Sequence, residues 1–79
     1  MPYVNVRTVA GALDDADKKE LLDRITQALV DIEGGGNPAF RQFVWVSIEE
    51  VPGTSWSIGG MQPTAEQIHA FRVAGRTTA

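Results

Sequence analysis

Few side chains in this sequence can do chemistry, and their spacing excludes most familiar arrangements. There is no cysteine and a single histidine, His69. A Ser/His/Asp or Cys/His set is therefore not apparent, and one histidine without a second ligand makes no metal site. Glu49 and Glu50 adjoin, but neighbours on a strand face opposite ways and cannot form a paired-carboxylate site. The run Gly34-Gly35-Gly36 follows a helical pattern and lacks the lysine of a phosphate loop, so it reads as a helix exit. What remains is Pro2, directly after Met1, together with Arg7, Arg41, Trp45 and Trp56. Arginine can grip a carboxylate with two parallel hydrogen bonds, and tryptophan offers a broad apolar wall. Pro2 is the anomaly, because proline has no backbone N–H and a fixed φ, yet here it opens an alternating strand.

Charge and length narrow the setting. The 79 residues carry 7 Lys plus Arg against 10 Asp plus Glu, for a formal net charge of −3. The basic residues are scattered, which speaks against nucleic acid and anionic membrane as partners. No apolar run approaches the roughly 20 residues of a membrane span, and the first residues lack a secretory pattern, so a cytoplasmic protein is expected. A chain this short, read as a single domain over 1–79, buries a modest core. Without disulfides or zinc, oligomerisation is the remaining staple.

These residues need elements to position them. YVNVRTV, Tyr3 to Val9, alternates with Val4 and Val6 on one face and Tyr3, Asn5 and Arg7 on the other, the period of a strand. After Gly11, LDDADKKELLDRITQALVDIEGGG switches to helical period. Leu21, Leu22, Ile25, Ala28, Leu29 and Ile32 form its apolar stripe, Asp14, Asp15 and Asp17 its acidic start, and Gly34 its expected left-handed cap. FRQFVWVSIEEV then reads as a second strand, with Val44, Val46 and Ile48 on one face and Arg41, Phe43, Trp45, Ser47 and Glu49 on the other. SWSIGG reads as a short extended piece ending in a Gly-Gly turn. PTAEQIHAF, residues 63–71, reads as a short helix with Thr64 and Gln67 at capping-box spacing and Ala65, Ile68 and Phe71 buried; AGRTTA is expected to fray. His69 is expected to be structural or exposed.

Strand, helix and strand in this order predict a single βαβ unit of the α/β class, with parallel strands and a right-handed crossover, followed by a C-terminal hairpin and short helix. Two strands do not make a sheet that stands in water. One helix can cover Val44, Val46 and Ile48, but Phe43 and Trp45 then point away from it. At about 25 cal/mol per Å² and roughly 150 Å² per large aromatic, leaving that pair wet would forgo several kcal/mol. A four-stranded sheet formed across a dimer is therefore expected, with a hexamer of three such dimers preferred over the dimer alone.

A short βαβ chain with Pro2 after the initiator methionine, glycine at Gly11, an Asp-rich helix start, a strand ending Glu-Glu-Val and the stretch Trp56-Ser57-Ile58-Gly59-Gly60 resembles the 4-oxalocrotonate tautomerase family. The resemblance runs from Pro2 to about Gly60, which makes 2–60 the core and 61–79 an extension. It implies that Met1 is removed, that the secondary amine of Pro2 is the catalytic group, that arginines bind substrate carboxylates, and that an aromatic at Trp56 lines the pocket. It also implies an enzyme that moves a proton between keto and enol forms of a small oxo acid without a cofactor or metal.

A prolyl nitrogen at a free terminus is an amine with a lone pair. If Trp56, Phe43 and Trp45 desolvate it, the ammonium form is disfavoured and the amine can act as base and then as acid near neutral pH. The family's best-known members carry substrate-binding arginines at the places of Ala12 and, nearby on the second strand, Trp45. Their absence here argues against a dicarboxylate substrate and leaves Arg41, expected on the face of Trp45, as the candidate for a displaced contact. Arg7, in phase with Tyr3, is a second candidate for that contact but reads first as a partner in an ion pair; Trp45 reads equally as a core or pocket aromatic, and the match to the family's aromatic position tips Trp56 toward the pocket. Hydration, dehalogenation or decarboxylation with a protonated Pro2 is the runner-up chemistry, and a non-catalytic assembly module is the alternative outside enzymes.

Overall fold

The computed structural model describes residues 1–78 of the chain. In order these are β1 (Tyr3–Val9), α1 (Asp15–Ile32), a 3-10 helix (Pro38–Phe43), β2 (Trp45–Val51), a second 3-10 helix (Gly53–Ser55) and α2 (Ala65–Thr78). The strands pair in one two-stranded sheet. The Trp45 N–H donates to the Pro2 carbonyl at 3.1 Å and the Ala10 N–H to the Val51 carbonyl at 2.9 Å. Start therefore meets start and end meets end, the parallel arrangement that a βαβ unit requires. By their contacts the residues form two compact units, Met1–Val6 with Asp14–Glu49, and Arg7–Leu13 with the chain from Glu50 onward.

In the first unit α1 begins on a complete capping box. The Asp17 N–H donates to Asp14 Oδ1 at 2.8 Å, and the Asp14 N–H donates to Asp17 Oδ2 at 3.2 Å. Two of the orphan amides of the first turn are satisfied in this way, and Asp15 and Asp17 add charge of the favourable sign. Leu22, Ile25, Thr26 and Leu29 are half-buried and Val30 is buried, while Ala28 and Ile32 of the expected stripe are exposed. The packed arc leans toward Thr26 and Val30, a choice between two flanks that apolar periodicity does not make. The expected glycine cap is also displaced. Gly35 and Gly36 carry the positive φ values, 62° and 80°, and Gly34 does not. Gly34 is small for a different reason: a Cβ there would lie 2.6 Å from Phe40 Cγ.

The second strand is shorter than its alternating sequence suggests. Residues 38–43 fold as a 3-10 helix, so Arg41 and Phe43 are not on the strand. Asn37 caps that helix, accepting from the Ala39 N–H at 3.0 Å, and Pro38 occupies its first turn with φ already set. These local signals outweigh the period-two pattern of FRQFV. Within β1, Val4 and Val6 are half-buried and Tyr3 and Asn5 exposed, the predicted alternation.

In the second unit β1 leads through Gly11 into Ala12, which is 2% exposed. After β2, Ile58 and Met61 form an isolated antiparallel bridge around Gly59-Gly60, whose φ values of 61° and 98° match the two left-handed positions of a tight hairpin turn. Thr64 and Gln67 close the predicted capping box, with the Gln67 N–H donating to Thr64 Oγ1 at 3.2 Å and the Thr64 N–H donating to Gln67 Oε1 at 3.0 Å. The helix then runs past the expected end at Phe71 to Thr78; Ala79, also expected to fray, lies outside the described residues. Arg72, Ala74 and Arg76 are good helix formers, and no proline interrupts them. Phe71, expected to be buried, is 80% exposed. Among the described residues no helix is long and apolar enough to cross a membrane.

Candidate active site

Pro2 stands half-buried immediately before β1. The ladder reaches it through its carbonyl, which accepts the Trp45 N–H at 3.1 Å. Its ring nitrogen has no hydrogen to give, so the pairing that fixes the residue makes no demand on that atom. The same bond brings Trp45 beside Pro2. Trp45 is 58% exposed and Tyr3 61% exposed. Between them the sheet carries a small polar cluster: Ser47 Oγ takes a hydrogen bond from Asn5 Nδ2 at 2.9 Å and shares one with Tyr3 Oη at 2.8 Å. The first unit therefore presents an aromatic and polar sheet face that its own helix leaves uncovered.

Arg41 is held elsewhere. Its Nη1 donates to Gln27 Oε1 at 3.1 Å and its Nη2 lies 3.5 Å from Asp23 Oδ1, both on α1. The expectation that it shares a strand face with Trp45 fails, because residue 41 belongs to the 3-10 helix. Arg41 and Asp23 are both exposed, so the pair is worth at most about 1 kcal/mol and holds the guanidinium loosely. Phe43, a second expected wall, packs edge-on against Phe40 with ring centroids 6.1 Å apart.

Trp56 lies in the second unit, where its indole Nε1 donates to the Val51 carbonyl at 3.2 Å. That carbonyl also takes the Ala10 N–H, so one oxygen ties the tryptophan to the end of the sheet. Trp56 forms part of a cavity of about 310 Å³, with Ile58, Met61 and Pro63 beside it and Gln67, Ile68 and Phe71 supplied by α2. Arg7, Thr8 and Val9 of β1 complete the lining. Trp56 and Ile58 were visible in the sequence as part of the Ile-Gly-Gly stretch. The sequence marks Ile68 and Phe71 as a buried helix face, and their apolar spacing does not distinguish a core from a cavity wall. His69 Nε2 makes a hydrogen bond with the Gly11 carbonyl at 3.1 Å. A carbonyl only accepts, so this nitrogen carries the proton. Among the described residues no group of three His, Cys, Asp or Glu side chains could hold a metal ion.

The family model described as tautomerase enzyme matches residues 2–66. A curated protein of Dickeya dadantii, named a probable tautomerase, is 37% identical over 70 residues, covering 89% of this chain and 98% of its own. The 2-hydroxymuconate tautomerase of Pseudomonas putida is 36% identical over 61 residues, covering 77% of this chain and 89% of its own. No solved structure matches the chain significantly.

Proposed function

Because this chain belongs to the tautomerase family, we propose that it catalyses keto-enol proton transfer on a small oxo acid, with the Pro2 amine as base once Met1 is removed. The neutral amine takes a proton from the enol oxygen, or from carbon α to the carbonyl. The electron pair left behind delocalises over the enolate, and the prolinium returns the proton to a conjugated carbon. Substrate and product differ only in the position of that proton, so the cycle needs no cofactor or metal. Arg41 or a backbone donor stabilises the enolate oxygen and Trp45 supplies an apolar wall, with Arg41 or Trp56 borrowed from a neighbouring chain.

One observation carries this reading. Pro2 is fixed through its carbonyl by the Trp45 N–H, with its nitrogen outside the ladder. A catalytic amine needs both properties, since fixed orientation lowers the entropy of reaching the transition state and the lone pair must not be spent on structure. One relative is named for 2-hydroxymuconate, but the buried Ala12 here favours a substrate with a single carboxylate. The exposed aromatic face of Tyr3 and Trp45 supports self-association, with two βαβ units joining into a four-stranded sheet and three such dimers forming a hexamer.

The mature N-terminus and an enol pyruvate test the proposal together. Mass spectrometry is expected to show a chain beginning at Pro2. Ketonisation of the enol is expected to fall by at least about 10²-fold in Pro2→Ala, the lower end of what a positioned acid-base group contributes. A retained methionine would leave the nitrogen an amide and end the reading, as would a Pro2→Ala variant of undiminished activity.

A further inference from the structure

We infer that α2 completes a binding cavity for a small aromatic molecule, an apolar body of one or two rings, and that Ile68 and Phe71 set its fit. Only Ala65 and Glu66 of this helix fall within the residues matched by the family model. The site lies entirely in the second unit, and binding there does not depend on Pro2 chemistry.

Size is the first argument. A dry cavity of about 150 Å³ accommodates one benzene ring, and the cavity here measures about 310 Å³, near the lower end of small-molecule sites. Chemistry is the second: Arg7 and Thr8 of β1 stand in the lining, but several of the other polar groups around the cavity are already engaged. The Trp56 indole N–H donates to Val51 at 3.2 Å. Ile58 and Met61 exchange main-chain hydrogen bonds of 2.8 and 3.1 Å with each other. Gln67 Oε1 accepts the Thr64 N–H, and Pro63 has no N–H to offer. What the cavity presents is mostly carbon, including the rings of Trp56 and Phe71, so a flat apolar ligand fits it. Such a ligand also loses less conformational freedom than an alkyl chain of equal area.

The position of α2 supplies the third argument. Ile68 and Phe71, three residues apart, share one helical face. The first turns are pinned: the Ile68 N–H donates to the Thr64 carbonyl at 3.3 Å, and His69 Nε2 donates to the Gly11 carbonyl at 3.1 Å. Phe71 is nevertheless 80% exposed. A ring held at the edge of an apolar cavity while facing water gains buried area when a ligand arrives.

Titrating the full chain with 2-naphthol while following its two tryptophan indole N–H signals by NMR tests this, the Trp56 signal being assigned from a Trp45→Phe variant. A saturable shift of the Trp56 signal is expected, with hexan-1-ol at least tenfold weaker. Phe71→Ser should weaken 2-naphthol binding at least fivefold with the Trp45 signal undisturbed, while Val73→Ser, an exposed position on the same helix outside the lining, should leave binding unchanged. The inference is overturned if the Trp56 signal does not shift, as when side chains of another copy fill the cavity. Equal affinity for hexan-1-ol, or a Phe71→Ser variant that binds like the parent, would also overturn it.

Discussion

Gly53→Ala and Gly75→Ala change the same atom and should move stability in opposite directions. Neither glycine has a positive φ, so backbone strain drops out and the space around the new Cβ decides the sign. At Gly53 a Cβ would collide with the Pro63 carbonyl oxygen, lie 3.3 Å from the carbonyl carbon, and come within 3.6 Å of Val9 Cγ1. The obstruction is backbone and cannot rotate away. Such overpacking costs about 1–3 kcal/mol, and a main-chain obstruction belongs at the upper end. The lower entropy of an alanine chain when unfolded returns about 0.4–1 kcal/mol. The net expectation for Gly53→Ala is a loss of about 2 kcal/mol. At Gly75, in α2, nothing lies within 4 Å of the new Cβ, so the helical preference for alanine should add about 0.5–1 kcal/mol. Urea unfolding at one fixed protomer concentration reads both, since association would otherwise shift the midpoint. A Gly53→Ala variant as stable as the parent would refute the packing of residues 53 and 63, and a destabilised Gly75→Ala would refute a helix that continues to Thr78.

If the neutral Pro2 amine is the base, activity should rise with pH through an apparent pKa below the value of about 8 for an ordinary α-amine, because an apolar setting disfavours the ammonium form. An unshifted or higher value in the pH-rate profile would point to a protonated proline and to the hydratase-like chemistries. Arg41→Met should change unfolding free energy by less than about 1 kcal/mol, because its ion pair is exposed, yet lower kcat/KM at least tenfold if the guanidinium meets the substrate; unchanged kinetics would make it a surface residue that only pairs with α1. Light scattering at micromolar concentration should give the mass of two or more chains, and a stable folded monomer would refute the assembly drawn from Tyr3 and Trp45.

The parts of the fold legible in the sequence are those fixed by signals a few residues apart. Alternation gave β1, Asp14 to Asp17 gave the start of α1, and Thr64 with Gln67 gave the start of α2. Where two local signals compete, the sequence is ambiguous. Residues 40–48 alternate like a strand, but Asn37 and Pro38 begin a 3-10 helix that consumes the first of them and removes Arg41 from the strand face. Pro2, Trp45 and Trp56 were legible as candidates because their types are unusual at their positions. The cavity was not, because whether Ile68 and Phe71 meet a core or bound a hollow depends on residues of β1 such as Thr8 and Val9, far enough away in the chain that spacing carries no information about them.

Ala12 shows where a departure visible in the sequence acquires a cause only in three dimensions. The family resemblance puts a substrate-binding arginine at this place, and its loss alone would suggest an unchanged pocket short of one charge. The surroundings argue otherwise. Ala12 is 2% exposed. Its neighbour Gly11 accepts a hydrogen bond from His69 through its carbonyl, and a Cβ at Gly11 would lie 3.3 Å from Ala65 Cβ. Both partners belong to α2, Ala65 inside the residues matched by the family model and His69 beyond them. An arginine at position 12 would have to thread a guanidinium out of a packed turn or bury an unpaired charge, and either costs more than a carboxylate contact returns. The segment after residue 64 seals the turn that would have carried the cation and, on its neighbouring face, supplies Ile68 and Phe71 to the cavity. If the proposed function holds, a buried alanine in place of a carboxylate-binding arginine beside an apolar cavity should favour substrates with less charge and more apolar surface.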